Sequence, residues 1–219
     1  MILENYKSLI FDCDGVVLNS NSIKTDAFAK ISMPYGNHFS NKLVEYHKKN
    51  GGISRYKKIE YFVDEILDIK DKKYSKKLWK TLCENYSELV FESLIQAEVA
   101  SGLGELRQIT KYSDWMIVSG GDQNELRKVF DKKSIAYLFN KGIYGSPKSK
   151  YKIIQELLLK KSLDNKSLFV GDSKLDYEVA NHYGIDFVFV SSWSEFDDLN
   201  EFAKVKGIKV YKKLININD

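Results

Sequence analysis

The chain has 219 residues, of which 43% are hydrophobic, 13% aromatic and 29% charged, with thirteen glycines and two prolines. These proportions exclude a disordered, collagen-like or low-complexity chain, and they supply enough apolar side chains for a sizeable core. The net charge of +4 comes almost wholly from lysines interleaved with acids, since arginine occurs only at Arg55, Arg107 and Arg127, so no nucleic-acid partner is expected.

At the start, MILENYKSLIFDCDG carries carboxylates where a secretory signal has its apolar centre. No stretch reaches the roughly 18 consecutive apolar residues of a membrane span. The expectation is a cytoplasmic protein with no membrane partner. Cys13 and Cys83 alone make neither a disulfide framework nor a zinc motif.

The run Ser8–Phe11, ending in DCDG, reads as a buried strand followed by a turn. From about residue 20 to 98 the pattern is helical. Tyr56, Ile59, Phe62, Val63, Ile66 and Leu67 form one apolar stripe, and Leu78, Trp79, Leu82, Cys83, Tyr86, Leu89 and Val90 form another. Turn signals at Pro34–Gly36, Asn50–Gly52 and Asp71 divide this stretch into about four helices. Three further runs, Trp115–Val118 before SGG, Ser167–Val170 before GDS and Phe187–Val190 before SSW, are short and apolar throughout, as parallel strands buried on both faces are. Ala136–Phe139 reads as a weaker strand. Helical faces at Leu126, Val129 and Phe130, and at Ile153, Ile154, Leu157 and Leu158, fall between the strands. The predicted architecture is α/β: a Rossmann-like open parallel sheet core (residues 1–18 and 101–219) with an inserted all-helical cap (residues 19–100).

In such sheets ligands bind beyond the carboxyl ends of the strands. There the sequence puts Asp12 and Asp14, Ser119 with Gly120 and Gly121, the GSPKSK segment, and Asp172 with Asp176. Carboxylates gathered at one spot stay ionised only around a cation. Hard oxygen ligands with room for water and phosphate suit Mg²⁺. A serine hydroxyl and glycine N–H groups can cradle phosphate oxygens, and a lysine can neutralise the remaining charge. Of two carboxyls placed two residues apart, one can attack phosphorus while the other moves protons, provided their environments separate their pKa values.

FDCDGVV (Phe11–Val17), VSGG (Val118–Gly121), GSPKSK (Gly145–Lys150) and GDSKLD (Gly171–Asp176) resemble, in order and spacing, the motifs of haloacid dehalogenase-type phosphatases, specifically their phosphoglycolate phosphatase and phosphoglucomutase-like branch. The resemblance covers the whole chain. It implies Asp12 as nucleophile, Asp14 as general acid/base with its backbone carbonyl on Mg²⁺, Ser119 as phosphate-binding hydroxyl, and Asp172 as a further metal ligand supported by Asp176. Many relatives carry Lys–Pro at the third motif, where this chain has Ser146–Pro147. Lys148 and Lys150 are therefore both candidates, and Lys150, at the start of an amphipathic helix, is preferred.

The NGGISR segment (Asn50–Arg55) resembles the specificity loop of that branch, which makes Arg55 a candidate for a second anionic or hydroxylated end of the substrate. Ser54 reads equally as the N-cap of a helix from Arg55. Mutases of the branch carry histidine where this chain has Lys24, which favours hydrolysis and leaves Lys24 as a positive contact or a surface lysine. His38, His47 and His182 show no ligand-like pairing. The expected activity is Mg²⁺-dependent hydrolysis of a small phosphorylated metabolite, such as a sugar phosphate or a phosphoglycolate-like acid, through an aspartyl phosphate. The alternatives are an intramolecular phosphomutase and a non-enzymatic phospho-accepting receiver-type domain.

Overall fold

In the computed structural model, which describes residues 3–163 and 166–218, the apolar runs lie side by side as parallel strands. In chain order the elements are β1 (Ser8–Phe11), α1 (Asn21–Ser32), α2 (Asn37–Lys49), α3 (Arg55–Tyr61), α4 (Lys72–Gln96), α5 (Leu103–Ile109), β2 (Asp114–Asp122), α6 (Gln123–Lys132), β3 (Ile143–Ser146), α7 (Lys150–Leu159), β4 (Ser167–Gly171), α8 (Lys174–His182), β5 (Asp186–Val190), α9 (Leu199–Lys206) and β6 (Lys209–Tyr211). The six strands run in the order β3-β2-β1-β4-β5-β6, and every neighbouring pair is parallel. The direction of winding reverses between β1 and β4. That reversal opens a crevice at their carboxyl ends, where Asp12 and Asp172 emerge.

Alternation along each strand explains why the runs are apolar throughout. Leu9 and Phe11 of β1, Trp115 and Ile117 of β2, and Leu168 and Val170 of β4 face one side, where α5 and α6 cover them with Leu103, Leu106, Leu126, Val129 and Phe130. Ile10, Met116, Val118 and Phe169 face the other side, against Ile153, Ile154 and Leu157 of α7 and Val179 and Ala180 of α8. Each such side chain, taken fully out of water, contributes about 1.5–3 kcal/mol.

Sequence expectations and structure part company in three places. Ala136–Phe139 is no strand. Residues 136–138 form a single 3-10 turn, and its apolar character serves packing: Phe139 meets the rings of Phe11, Trp115 and Phe130. The strand of this region is β3, which includes Gly145 and Ser146 of the GSPKSK segment. β2 does not stop at Val118 but continues through Ser119–Asp122, with a break in register against β3 between Val118 and Asp122.

Helices α1–α4 lie between β1 and α5. Capping fixes where α3 and α4 begin: Ser54 accepts from the Lys57 N–H, and Asp71 accepts from the N–H groups of Lys73 and Tyr74. A π-helical turn over Phe62–Ile66 extends α3. Phe28, Leu43, Ile59, Leu82 and Tyr86 form the interior of this segment and join the core on the α5–α6 side of the sheet. The two connections to the sheet region run together. Asn19 N–H donates to the Glu98 carbonyl and Ala100 N–H to the Val17 carbonyl, each at 2.9 Å. Among the described residues no helix is long and apolar enough to cross a membrane.

Candidate active site

Asp12, Lys150, Asp172 and Asp176 are each carried by a strand end or by the first turn of the helix that follows. Asp12 is the first residue past β1, and its N–H bonds to the Val170 carbonyl, which holds it beside the end of β4. Its Oδ1 accepts from the Cys13 N–H at 2.7 Å, and its Oδ2 lies 2.7 Å from Lys150 Nζ. Lys150 opens α7, where Ser149 caps the helix. Its ammonium also reaches Asp176 Oδ1 at 2.5 Å. Asp176 sits in the first turn of α8 and forms a capping box with Ser173, taking the Ser173 hydroxyl on Oδ2 at 2.6 Å. Both oxygens of Asp176 are therefore engaged within the protein.

Asp12, Asp172 and Asp176 offer carboxylate oxygens that all lie within 4.8 Å of one another, and all three residues are buried. Lys150 is their one ion-pair partner among the described residues, so the cluster carries more negative than positive charge. Burial, with the like charges of Asp12 and Asp176, pushes Asp172 well above the usual carboxylate range, although Asn21 donates to its Oδ2 at 2.7 Å. Burial also raises Asp12, against the pull of Lys150. This set fits Mg²⁺: hard oxygen donors are gathered, and the charge they lack is positive. Gly15 keeps the space open. Its φ is +75°, and a Cβ there would lie 1.9 Å from Asp172 Oδ2.

Asp14 lies apart from that cluster. Its carboxylate pairs with Lys24 and accepts the Ser20 hydroxyl at 2.6 Å. Burial works to raise it, but Lys24 and Ser20 prevail and hold the Asp14 carboxyl below the usual range. The two aspartates of the DCD element thus occupy environments that push their pKa values apart, Asp12 up and Asp14 down, so acid chemistry at Asp14 requires that its pairing with Lys24 be given up.

A cavity of about 210 Å³ lies above these groups. Asp12, Asp14, Gly120, Gly121 and Asp172 line its floor; Lys24, His47, Arg55 and Lys58 of the helical segment line its roof. Ser119 is fully buried behind Gly120. Its Oγ accepts from the Gly121 N–H at 3.0 Å, which leaves the hydroxyl proton free to donate. Gly120 meets the helical segment directly: a Cβ there would come within 2.3 Å of the Gly52 carbonyl oxygen.

Of the residues expected at the site, Lys148 is not brought in. It pairs with Glu156 at 2.6 Å, half exposed, because it precedes the helix and faces solvent. Lys24 reaches the cavity, but with its charge matched by Asp14. Arg55 also lines the cavity. Its Nη1 lies 2.8 and 3.0 Å from the two oxygens of Glu125 in α6, and its buried Nε has no hydrogen-bond partner among the described residues. The sequence reading missed Ser20, Asn21, Ser173 and Glu125. Of these only Ser173 carried a signal, as Ser173-x-x-Asp176 is a capping pattern. It also passed over Lys58, which is buried at the cavity roof.

Compared with known proteins, residues 9–190 match the sequence family described as haloacid dehalogenase-like hydrolase. A search of curated proteins finds no match. Among solved structures, a predicted phosphoglycolate phosphatase from Haemophilus somnus superposes with a TM-score of 0.72 at 16% identity, covering 97% of this chain and 96% of that one. The β-phosphoglucomutase of Clostridium difficile gives 0.70 at 18% identity over 97% and 93%. A haloacid dehalogenase-like family protein from Streptococcus pneumoniae gives 0.66 at 16% over 97% of both.

Proposed function

The chain belongs to the haloacid dehalogenase-like hydrolases, and from that premise we propose that it is a phosphomonoesterase of small phosphorylated metabolites that works through a phosphorylated Asp12. The observation that carries this reading is the buried set of Asp12, Lys150, Asp172 and Asp176 beneath a cavity that Asp14 also lines.

In this reading Lys150 keeps Asp12 ionised and Asp14, released from Lys24, carries a proton. An oxygen of Asp12 attacks phosphorus, the bond from phosphorus to the ester oxygen breaks, and Asp14 gives the departing oxygen that proton. Water then attacks phosphorus, Asp14 takes the proton of that water, and the phosphorus–Asp12 bond breaks. Lys150 orients Asp12 and offsets charge on the transferring group. The Ser119 hydroxyl and the Gly120 backbone hold phosphate oxygens. Asp12, Asp172 and the Asp14 backbone carbonyl would hold Mg²⁺, with Asp176 in support; the ion, when bound, supplies charge neutralisation at the phosphate. Helices α1–α4, residues 19–100, serve as a cap that excludes water. Arg55 offers its unpartnered Nε to the substrate while Glu125 fixes its position.

The test is phosphate release from p-nitrophenyl phosphate with Mg²⁺ and with EDTA. Asp12→Asn is expected to abolish it, Asp14→Asn to slow it by roughly 10²–10⁴-fold, and EDTA to stop it. Turnover surviving in Asp12→Asn overturns the proposal.

A further inference from the structure

The roof of the cavity holds a buried cation that the reaction above does not use. Lys58 of α3 is 2% exposed yet lines the cavity. Among the described residues no carboxylate lies within ion-pairing distance of it. Its ammonium donates to His47 Nδ1 at 2.7 Å and to the His47 carbonyl at 3.2 Å, and sits 5.7 Å from the centre of the Phe28 ring. Because Nδ1 accepts, the His47 proton lies on Nε2. That nitrogen faces Thr25 Oγ1 at 3.1 Å, and the Thr25 hydroxyl in turn donates to Glu195 at 2.7 Å. His47 is thereby fixed in ring orientation and tautomer, and it fixes Lys58.

The other buried or half-buried cations around this space are matched by carboxylates, Lys24 by Asp14, Arg55 by Glu125, Lys150 by Asp12 and Asp176, while Lys48, Lys49 and Lys174 line it from the solvent side. Among the described residues Lys58 is the buried cation here whose direct contacts are all neutral, with Asp14 and Glu195 acting on it only from beyond ion-pair distance. A desolvated ammonium with only neutral acceptors is costly to maintain, and an arriving anion removes that cost. Burial, with Lys24 nearby, accordingly drives Lys58 down to about 7.

We propose that Lys58 binds a second anionic group on the substrate, with His47 as the positioning residue that aims it, so that the chain acts on phosphomonoesters bearing another negative charge. This rests on the reading that the cavity takes a phosphorylated substrate. One charged hydrogen bond at a buried site predicts a preference of about ten- to hundredfold for the doubly anionic ligand.

The experiment measures equilibrium binding by calorimetry in the Asp12→Asn protein with Mg²⁺ present. The ligands are phosphoglycolate, ethyl phosphate, which has a methyl in place of the carboxylate, and ethylene glycol bisphosphate. The expected result is tighter binding of one or both doubly anionic ligands by at least about tenfold. Which of the two it is distinguishes a carboxylate from a second phosphate. In Lys58→Met, and in Lys58→Gln as a second variant should Met fold poorly, the preference collapses towards one. Lys58→Arg retains part of it, and His47→Gln lowers it by a smaller factor than Lys58→Met. A preference near one with Lys58 present, absence of binding by both doubly anionic ligands, or a preference that survives Lys58→Met overturns the proposal. Binding needs no turnover, so a failure of the phosphatase reading appears separately, in the phosphate-release assay.

Discussion

The pair Arg55–Glu125 ties α3 to α6, and its strength can be worked out. Both side chains are nearly buried, at 7% and 8% exposed, with N–O distances of 2.8 and 3.0 Å. At that separation and an effective dielectric constant of ~20 the attraction is about 5–6 kcal/mol. Taking both ions out of water cancels much of it, so the pair itself adds little net stability. Removing one partner is another matter. Arg55→Met strands the Glu125 carboxylate in a buried position and removes the guanidinium from the Tyr86 and Tyr56 rings, 5.3 and 5.4 Å away. The expected cost is about 3–5 kcal/mol. Glu125→Gln strands the guanidinium instead. The double variant leaves no buried charge, so it should fall short of the sum of the singles by about 2–3 kcal/mol. Urea unfolding of the four proteins, compared at constant m-value, measures this coupling. Costs that add to within about 0.5 kcal/mol would refute the argument that the two groups are held as a desolvated pair.

The two candidate lysines of the third motif should separate cleanly. Lys150→Met removes the cation shared by Asp12 and Asp176 and is expected to lower phosphate release by roughly 10²–10³-fold, whereas Lys148→Met, which breaks only the exposed contact to Glu156, should leave the rate within about twofold. His47 gives a pH dependence of stability. Burial first, then Lys58 and Lys24, holds its pKa down from 6.5 to about 2. Between those values the unfolded chain binds a proton that the folded one refuses. This contribution to stability is therefore complete above pH 6.5 and is lost as the pH falls below it, by up to about 1.4 kcal/mol per pH unit. Unfolding midpoints of His47→Gln should fall less steeply with acid than those of the parent protein; parallel curves would count against a buried neutral imidazole.

The sheet was legible where burial on both faces writes itself into the sequence. β1, β4 and β5, and the start of β2, each follow one polar residue with an unbroken apolar run, because α-helices cover both sides. β3 escaped notice because Ile143–Ser146 offers one aliphatic residue and then Tyr, Gly and Ser, and β6 because Lys209–Tyr211 is an exposed edge. Ala136–Phe139 misled for the opposite reason: a short apolar run packs as well in a 3-10 turn as in a strand. At the site, the carboxylates and Lys150 could be named because strand ends and helix starts fix them by local rules. Their pairings could not. That Lys24 answers Asp14, that Glu125 answers Arg55, and that Lys58 meets His47 and Phe28 rather than a carboxylate depends on how α1–α4 fold over the sheet, and no spacing along the chain encodes those distances.

The central claim is that phosphorus is attacked by one particular carboxylate. Acid-quenching the protein during turnover of a phosphomonoester, then mapping its peptides by mass, tests that claim most directly. The account predicts an acid-stable, hydroxylamine-labile phosphoryl group on the peptide carrying Asp12, absent from Asp12→Asn. Turnover with no such adduct, or an adduct on another residue, would contradict it.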